Sequence, residues 1–525
     1  MVWHIFGVLI FSSDSFFSWR APTSADETDH PYHVSCQLRR IQFALTLPVL
    51  STSYSYTPPP FTIMPSRRRP LLSIGGGVLC LSAGVASGYV IGPPTSSVST
   101  FTFTSTPNAE VPVGLVDDDN TAAPLISPAT GLPNRMYSWR NQDIRYQVAG
   151  DISSPNAVVL VHGLFVNSDH WRKQIKELAA AGYRVYAVDL LGSGYSSKPS
   201  PWDDAVSELV NGENGRFYDD ETSLQPGFEK KKRVLRSPSL VEDVQLGTSR
   251  GGTRRATVDL RHPLGSFYNF YTWSEQICDF TRDVVLAPNT GAKKASLVGN
   301  SKGTLVSLQA AMDAPDLFNG AFLINPTFRE QHSAETPKFM MPLMNAVQSW
   351  LRSHGHGLFD RVAKPEIIHK ILQEPYAITS EVDDQLVDAL LTPLLSFGTA
   401  DVVFDMLSYT GGPLIEQQLQ DAAFPKSVPV SIAYGTADPW LPVARTNALT
   451  KLSTVDKAIP LPGLGHCPHD ESGAIVNPLL LEFFERVNNG ETPEKETVVA
   501  SPAHEERQQR RVKIWNQKLS PAFVR

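Results

Sequence analysis

The sequence predicts an α/β fold with a parallel sheet at its centre, and three observations carry the prediction. Short apolar runs recur at 158–161, 295–298, 322–324 and 428–433, the pattern of strands buried on both faces. One of them leads straight into a G-x-S-x-G turn, Gly299 to Gly303, and then into apolar residues at helical spacing from Leu305 to Met312. Between Phe328 and Pro425 the strand-helix alternation gives way to a helical pattern, so a helical insertion interrupts the sheet-forming sequence.

Along the chain, the first informative element is 158–165, Val-Val-Leu-Val-His-Gly-Leu-Phe, a strand ending in a His-Gly turn. Such a turn supplies half of an oxyanion hole, because attack on an ester carbonyl puts negative charge on oxygen and preorganised backbone N–H groups stabilise it. The expected donors are the N–H groups of Leu164 and Lys302, with Phe165 as the neighbouring alternative to Leu164. His162, at the strand end, reads as a structural hydrogen-bonding residue.

The turn at 299–303 places Ser301 where a nucleophile belongs. A strand that reverses sharply into a helix crowds its backbone, and Gly299 and Gly303 remove the Cβ atoms that would clash. A second match, Gly247 to Gly251, lacks this context: acidic and amide residues precede Ser249 and Gly-Thr-Arg-Arg follows it, so Ser249 is not read as a nucleophile. A serine hydroxyl needs a base to take its proton, and the base needs an acid to hold its tautomer. The run 428–435 reads as a buried strand with Asp438 in the loop behind it, and 458–462 leads to His466. The chain order Ser301, Asp438, His466 is that of the α/β-hydrolase fold and differs from the trypsin-like and subtilisin-like orders. His466, Cys467 and His469 invite a metal reading, but the base role takes one histidine and no Cys/His group stands elsewhere at zinc spacing; no metal site is expected.

These segments resemble the group of α/β-hydrolases containing chlorophyll dephytylase and pheophytinase, plastid enzymes that cleave the phytol ester of chlorophyll or its metal-free derivative. The resemblance runs from about Met136 to Asn489. Its more specific pieces are Asp169-His170-Trp171-Arg172, the run 185–192 with Gly194-Tyr195-Ser196, 271–277, 299–301, Val382-Asp383-Asp384, 409–414, Asp438-Pro439-Trp440 and Gly-His-Cys-Pro-His-Asp-Glu at 465–471. It implies the α/β-hydrolase fold: a mostly parallel eight-stranded sheet flanked by helices, with a helical cap inserted after strand six. It also implies Ser301, Asp438 and His466 as catalytic triad, no cofactor, and hydrolysis of a bulky apolar ester, chlorophyll or pheophytin with loss of phytol. The same triad serves a lipase or general carboxylesterase, and the fold also serves ligand receptors with slow turnover. Epoxide hydrolases and dehalogenases need a carboxylate where Ser301 stands.

Two departures from that group stand out. Lys302 occupies a place usually apolar or small, and Thr304 replaces a common glycine. The Lys302 ammonium is expected to snorkel to solvent, the alternatives being a pKa effect on His466 or contact with an acidic substrate group. The second departure is the insertion 203–262, polar, with a basic cluster at 230–233 and several glycines, which reads as a surface loop with little order. The expected organisation is therefore a core at 133–327 and 426–490, a cap at 328–425 walling the substrate pocket, and a charged tail at 491–525. Met340, Met341, Met344 and Met406 suit an apolar ligand, although cap packing accounts for any one of them better.

Composition narrows the partners. A net charge of −7, with no basic stripe in the core region, gives no electrostatic footprint for nucleic acid. Of the four cysteines, Cys36 and Cys80 fall in the N-terminal extension and Cys278 and Cys467 in the core; this is no disulfide framework, and Cys278 reads as a small buried hydrophobe. Residues 1–132 are rich in Ser, Thr and Pro and have no steady period. Within them Arg67, Arg68 and Arg69 precede an uncharged stretch to Pro94, making 65–94 signal-like, and Met64 just before it reads as the true start of translation. With the Ser/Thr-rich, acid-poor run that follows, the layout resembles the bipartite plastid presequences of algae with secondary plastids. The alternatives are a membrane anchor, through which the chain would associate with a bilayer, or the secretory pathway. Nothing in the sequence bears on oligomeric state.

Overall fold

The computed structural model describes residues 123–203, 205–206, 241–248, 252–260, 262, 266–329, 332–336, 338–441, 443–491 and 496–497. The proposed start at Met64, the signal-like stretch 65–94, Cys36, Cys80, Ser249, the basic cluster 230–233 and the tail beyond Thr497 lie outside these residues.

The described strands are β1 (Arg135–Trp139), β2 (Gln142–Ala149), β3 (Ala157–Val161), β4 (Arg184–Val188), β5 (Val241–Gly247), β6 (Thr253–Asp259), β7 (Ala295–Ser301), β8 (Phe318–Pro326), β9 (Val430–Gly435), β10 (Val455–Leu461) and β11 (Glu496–Thr497). Nine of them form one sheet in the order β1-β2-β4-β3-β7-β8-β9-β10-β11. The β1–β2 and β2–β4 pairs are antiparallel, and the remaining pairs in this sheet are parallel. The expected eight strands are thus present, and the two-residue β11, which the sequence reading assigned to the charged tail, adds an edge beside β10.

Continuous apolar runs form these strands because both faces of the sheet are covered. Val159 and Val161 of β3, Leu297 of β7 and Leu323 of β8 pack into one core, while Val158, Leu160, Val298 and Phe322 pack into the other. Every residue of β3 and of β9 is buried. Alternation along the pleat sends successive side chains to opposite cores, so no polar position is left to betray the strand's edges. The helices Phe270–Phe280, here α1, and Lys302–Asp313, here α2, bury residues in the first core, and Gly473–Asn488, here α3, covers the second. On α1, Cys278 is buried and free.

Between β8 and β9 the chain is helical, with Met341–His354, Pro365–Gln373, Asp384–Leu394, Thr399–Leu407 and Ile415–Gln420 as its main pieces. Among the described residues no single helix is long and apolar enough to cross a membrane; only Asp384–Leu394 and Thr399–Leu407 pass such a test together, bent by 98°. Their buried residues Leu386, Leu390 and Val402 pack within the protein.

The insertion 203–262 departs from expectation. Its last third is a two-stranded antiparallel hairpin, β5 paired with β6 from Val241↔Asp259 to Gly247↔Thr253. Val244, Leu246, Val258 and Leu260 alternate with polar residues and are buried with Tyr271 and Leu414. The strands close at Thr248 and Gly252: Thr248 N donates to Gly252 O at 2.8 Å, and Gly252 N donates to Thr248 Oγ1 at 2.9 Å. A polar face and a Gly-rich turn give a half-buried hairpin the composition of a loop; the period-two alternation is what distinguishes them.

Candidate active site

Ser301 ends β7 and immediately precedes α2. Its backbone sits at φ 52° and ψ −117°, a left-handed conformation that costs energy for any residue but glycine. The crowding that requires glycine on both sides is explicit. A Cβ on Gly299 would lie 2.4 Å from Gly303 O, and one on Gly303 would lie 2.2 Å from Val161 O. The serine is held in this turn by Thr304, whose Oγ1 donates to Ser301 O at 2.6 Å.

His466 and Asp438 come from the loops after β10 and β9. His466 Nδ1 is 2.6 Å from Asp438 Oδ2, and both residues are buried. With Nδ1 engaged by the carboxylate, Nε2 is the nitrogen left for proton transfer. Burial pushes the Asp438 carboxyl up, but His466, the Asn325 amide and the Trp440 N–H outweigh it and hold the group below its ordinary value. Asn325 Nδ2 donates to Asp438 Oδ2 at 2.7 Å and to Gly465 O at 3.1 Å, while its Oδ1 accepts from Gly435 N at 3.1 Å. One side chain therefore ties together the strand end, the acid and the histidine loop. Sequence reading missed this residue, which there is simply the end of the strand at 322–325.

Ser301, His466, Leu164 and Phe165 line one cavity of about 620 Å³. Its walls are largely apolar, with Val166, Ile371, Leu372, Trp440 and Tyr376 among them. The Trp440 ring meets the His466 ring edge to face with centroids 4.9 Å apart. Among the described residues no group of three or more His, Cys, Asp or Glu side chains is placed to hold a metal ion.

The family model of the alpha/beta hydrolase fold matches residues 156–353. The fold is the alpha/beta hydrolase fold. The chain resembles pheophytinase: it is 23% identical to chloroplastic pheophytinase of Arabidopsis thaliana over 442 residues, 82% of this chain and 81% of that protein. A shorter stretch of 111 residues is 35% identical to the mesoderm-specific transcript homolog protein of Bos taurus, covering 19% of this chain and 33% of that one. Among solved structures, a membrane phospholipase A superposes with a TM-score of 0.45 at 18% identity, over 69% of this chain and 89% of that chain.

Within this alpha/beta hydrolase fold, the two residues expected to supply oxyanion N–H groups are separated by role. Leu164 lines the cavity that Ser301 and His466 also line, next to Phe165 at φ 59°. Lys302 is the first residue of α2, so its N–H stands at the unsatisfied end of a helix, but its side chain does not snorkel. It is only 5% exposed, its Nζ has no hydrogen-bond partner among the described residues, and that nitrogen sits 4.0 Å from the Trp273 ring centroid. Burial lowers its pKa to about 7. The expectation failed because the side chain at the helix start is buried against Trp273 of α1, whose aromatic face offsets part of the cost.

His162 is buried with Nδ1 2.8 Å from Gly163 O and Nε2 accepting from Leu190 N at 3.0 Å. Both nitrogens are used by backbone, and desolvation together with the nearby Lys302 holds its pKa well below the usual value. The run 465–471 also acquires a physical purpose. Glu471 accepts from Gly465 N at 2.9 Å, from Ala377 N at 3.0 Å and from Ile378 N at 3.1 Å. Asp470 accepts from Arg172 Nε at 2.8 Å and from Tyr376 OH at 2.9 Å. The two carboxylates behind His466 thus fasten its loop to the segment 375–378 of the helical insertion.

Proposed function

We propose that this protein is a serine ester hydrolase for a bulky apolar substrate, chlorophyll or pheophytin with loss of phytol. The observation that carries the chemistry is the 2.6 Å contact between His466 and Asp438, beside a cavity that also presents Ser301 on a strained turn. Ser301 Oγ attacks the ester carbonyl, and His466 Nε2 takes its proton and returns it to the leaving alcohol. Asp438 orients the imidazole and stabilises its charge. The N–H groups of Leu164 and Lys302 hold the oxyanion, and water deprotonated by His466 releases the acid. The apolar walls of the cavity and the similarity to chloroplastic pheophytinase over 82% of this chain support the substrate and a plastid location.

The test is hydrolysis of chlorophyll, pheophytin and a galactolipid side by side, with phytol and fatty acid quantified. Ser301→Ala should abolish turnover, by up to roughly a millionfold on the precedent of nucleophile loss, while Ser249→Ala leaves it unchanged. Fluorophosphonate labelling that survives Ser301→Ala would refute the nucleophile; fatty-acid release without phytol release would make the enzyme a lipase.

A further inference from the structure

A second, open cavity adjoins the first and shares Phe165 and Val166 with it. Its lining also includes Leu390, Leu394 and Met406 of the helical insertion, and Lys198. Met406 is therefore the methionine among those singled out in the sequence that lines either cavity.

We propose that this cavity is a substrate subsite in which Lys198 Nζ donates a hydrogen bond to a second oxygen-bearing group of the substrate, remote from the scissile ester. The proposal rests on the serine-hydrolase reading for the position of that ester. The chemical class it defines is an apolar ester with another acceptor oxygen, carbonyl or carboxylate, at its far end.

Three features support it. First, Lys198 is a half-buried cation with no carboxylate in ion-pair contact among the described residues. Its Nζ donates to Gly194 O and, at 3.3 Å, to Ser196 O, so two of its three N–H bonds are used and one remains. Asp189, whose charge reaches it, is committed elsewhere: it accepts from Arg145, from Ser168 N at 2.7 Å and from Tyr195 N at 2.8 Å. Desolvation lowers the amine to about 8, the sign of a cation short of compensating charge. Second, apart from Asn167 and Ser193 the remaining side chains of the lining are apolar, Leu390, Leu394 and Met406 among them, which suits a lipophilic portion of a substrate. Third, Phe165, which lines both cavities, is a non-glycine residue held at φ 59°. Strain of this kind persists only where the surrounding structure imposes it, and here it falls on a residue common to the ester site and the subsite.

The test uses three matched probes: methyl dodecanoate, monomethyl dodecanedioate and dimethyl dodecanedioate. Their binding is measured on Ser301→Ala protein by calorimetry, which needs no turnover, and their hydrolysis on the wild type. The diester and the half-ester should bind at least about tenfold tighter than methyl dodecanoate, as expected for one hydrogen bond to a charged donor. Lys198→Met should remove that preference while leaving methyl dodecanoate and Ser301 fluorophosphonate labelling unchanged, and Lys198→Arg should keep part of it. A stronger preference for the half-ester identifies a carboxylate partner; equal preference for both identifies a carbonyl. Leu394→Trp, filling the cavity, should weaken all three probes but spare nitrophenyl acetate. Equal binding of the three probes to a folded Ser301→Ala protein, or a preference that survives Lys198→Met, would overturn the subsite. Loss of Ser301-dependent turnover with the binding preference intact would instead sink the hydrolase reading alone.

Discussion

At the scale of single residues, Lys302 is the position where burial and charge conflict most directly. In water its amine titrates near 10.5, and in the folded protein near 7. Between those values the unfolded chain binds a proton that the folded chain does not, so the cost of burying the amine grows as pH falls from about 10.5 to about 7 and is constant below. Lys302→Met should accordingly stabilise the protein by a few kcal/mol at neutral pH and below, and by little near pH 10.5, from about 1.4 kcal/mol per pKa unit less the lost contact with Trp273. Chemical denaturation at several pH values measures this. A stability difference independent of pH would mean that the amine reaches water. Asn325 gives the complementary case, a neutral residue whose hydrogen bonds organise a charge. Asn325→Gly tolerates the observed φ of 45° but removes the donor to Asp438, so turnover should fall about ten- to hundredfold with the fold retained. Unchanged turnover in that variant would show that His466 and the Trp440 N–H suffice to hold the acid.

At the scale of elements, what was legible in the sequence follows from which signals are local. The parallel strands announce themselves because burial on both faces leaves only apolar residues, as at 158–161 and 295–298, and the turn at 299–303 because only glycine fits against Val161 O. Ser301, Asp438 and His466 could be placed at strand ends for the same reason. Lys302 could not, because whether a side chain finds water depends on a helix packed over it from elsewhere in the chain. Asn325, Asp470 and Glu471 act mostly through partners 93 to 298 residues away and often through backbone atoms, which no local pattern encodes. The β5–β6 hairpin is the intermediate case: its alternation was present but overshadowed by the polar composition of 203–262. The buried face of that hairpin gives a direct test. Leu246 is fully buried against Val258, Tyr271 and Leu414, so Leu246→Ala should cost about 2–5 kcal/mol in unfolding free energy. A change below about 0.5 kcal/mol would show that the hairpin folds independently of the core.

At the scale of the whole molecule, Arg172 is one of the residues that fasten the helical insertion to the sheet domain, beside the Lys173–Glu381 ion pair and the Glu471 contacts to Ala377 and Ile378. Its guanidinium donates to Asp470 at 2.8 Å behind His466, to both oxygens of Asp383 at 2.8 and 2.9 Å, and to Glu381 O at 2.8 Å. Desolvation opposes the charge, but Asp470 and Asp383 outweigh it and raise the guanidinium above its ordinary value. Asp383 is half exposed, so that half of the clamp is screened by water, while Asp470 is fully buried and its pairing decides the energetics. Arg172→Met leaves the Asp470 carboxylate buried with Tyr376 and removes the forked link to Asp383 and Glu381 O, leaving the Lys173–Glu381 ion pair. Two consequences are expected together. Proteolysis should open the segment 375–384 at least about tenfold faster, and kcat/KM for a long apolar ester should fall while that for nitrophenyl acetate is kept, since the small ester needs Ser301 and His466 but not the wall formed by Ile371 and Leu372. Arg172→Lys should not rescue either property, because a point charge cannot reproduce the forked contacts to two carboxylates and a carbonyl. If both esters were lost in parallel, the clamp would act on the placement of His466 through the 465–471 loop, and the insertion would owe its position to its other contacts, among them Glu471 with Ala377 and Ile378 and Lys173 with Glu381.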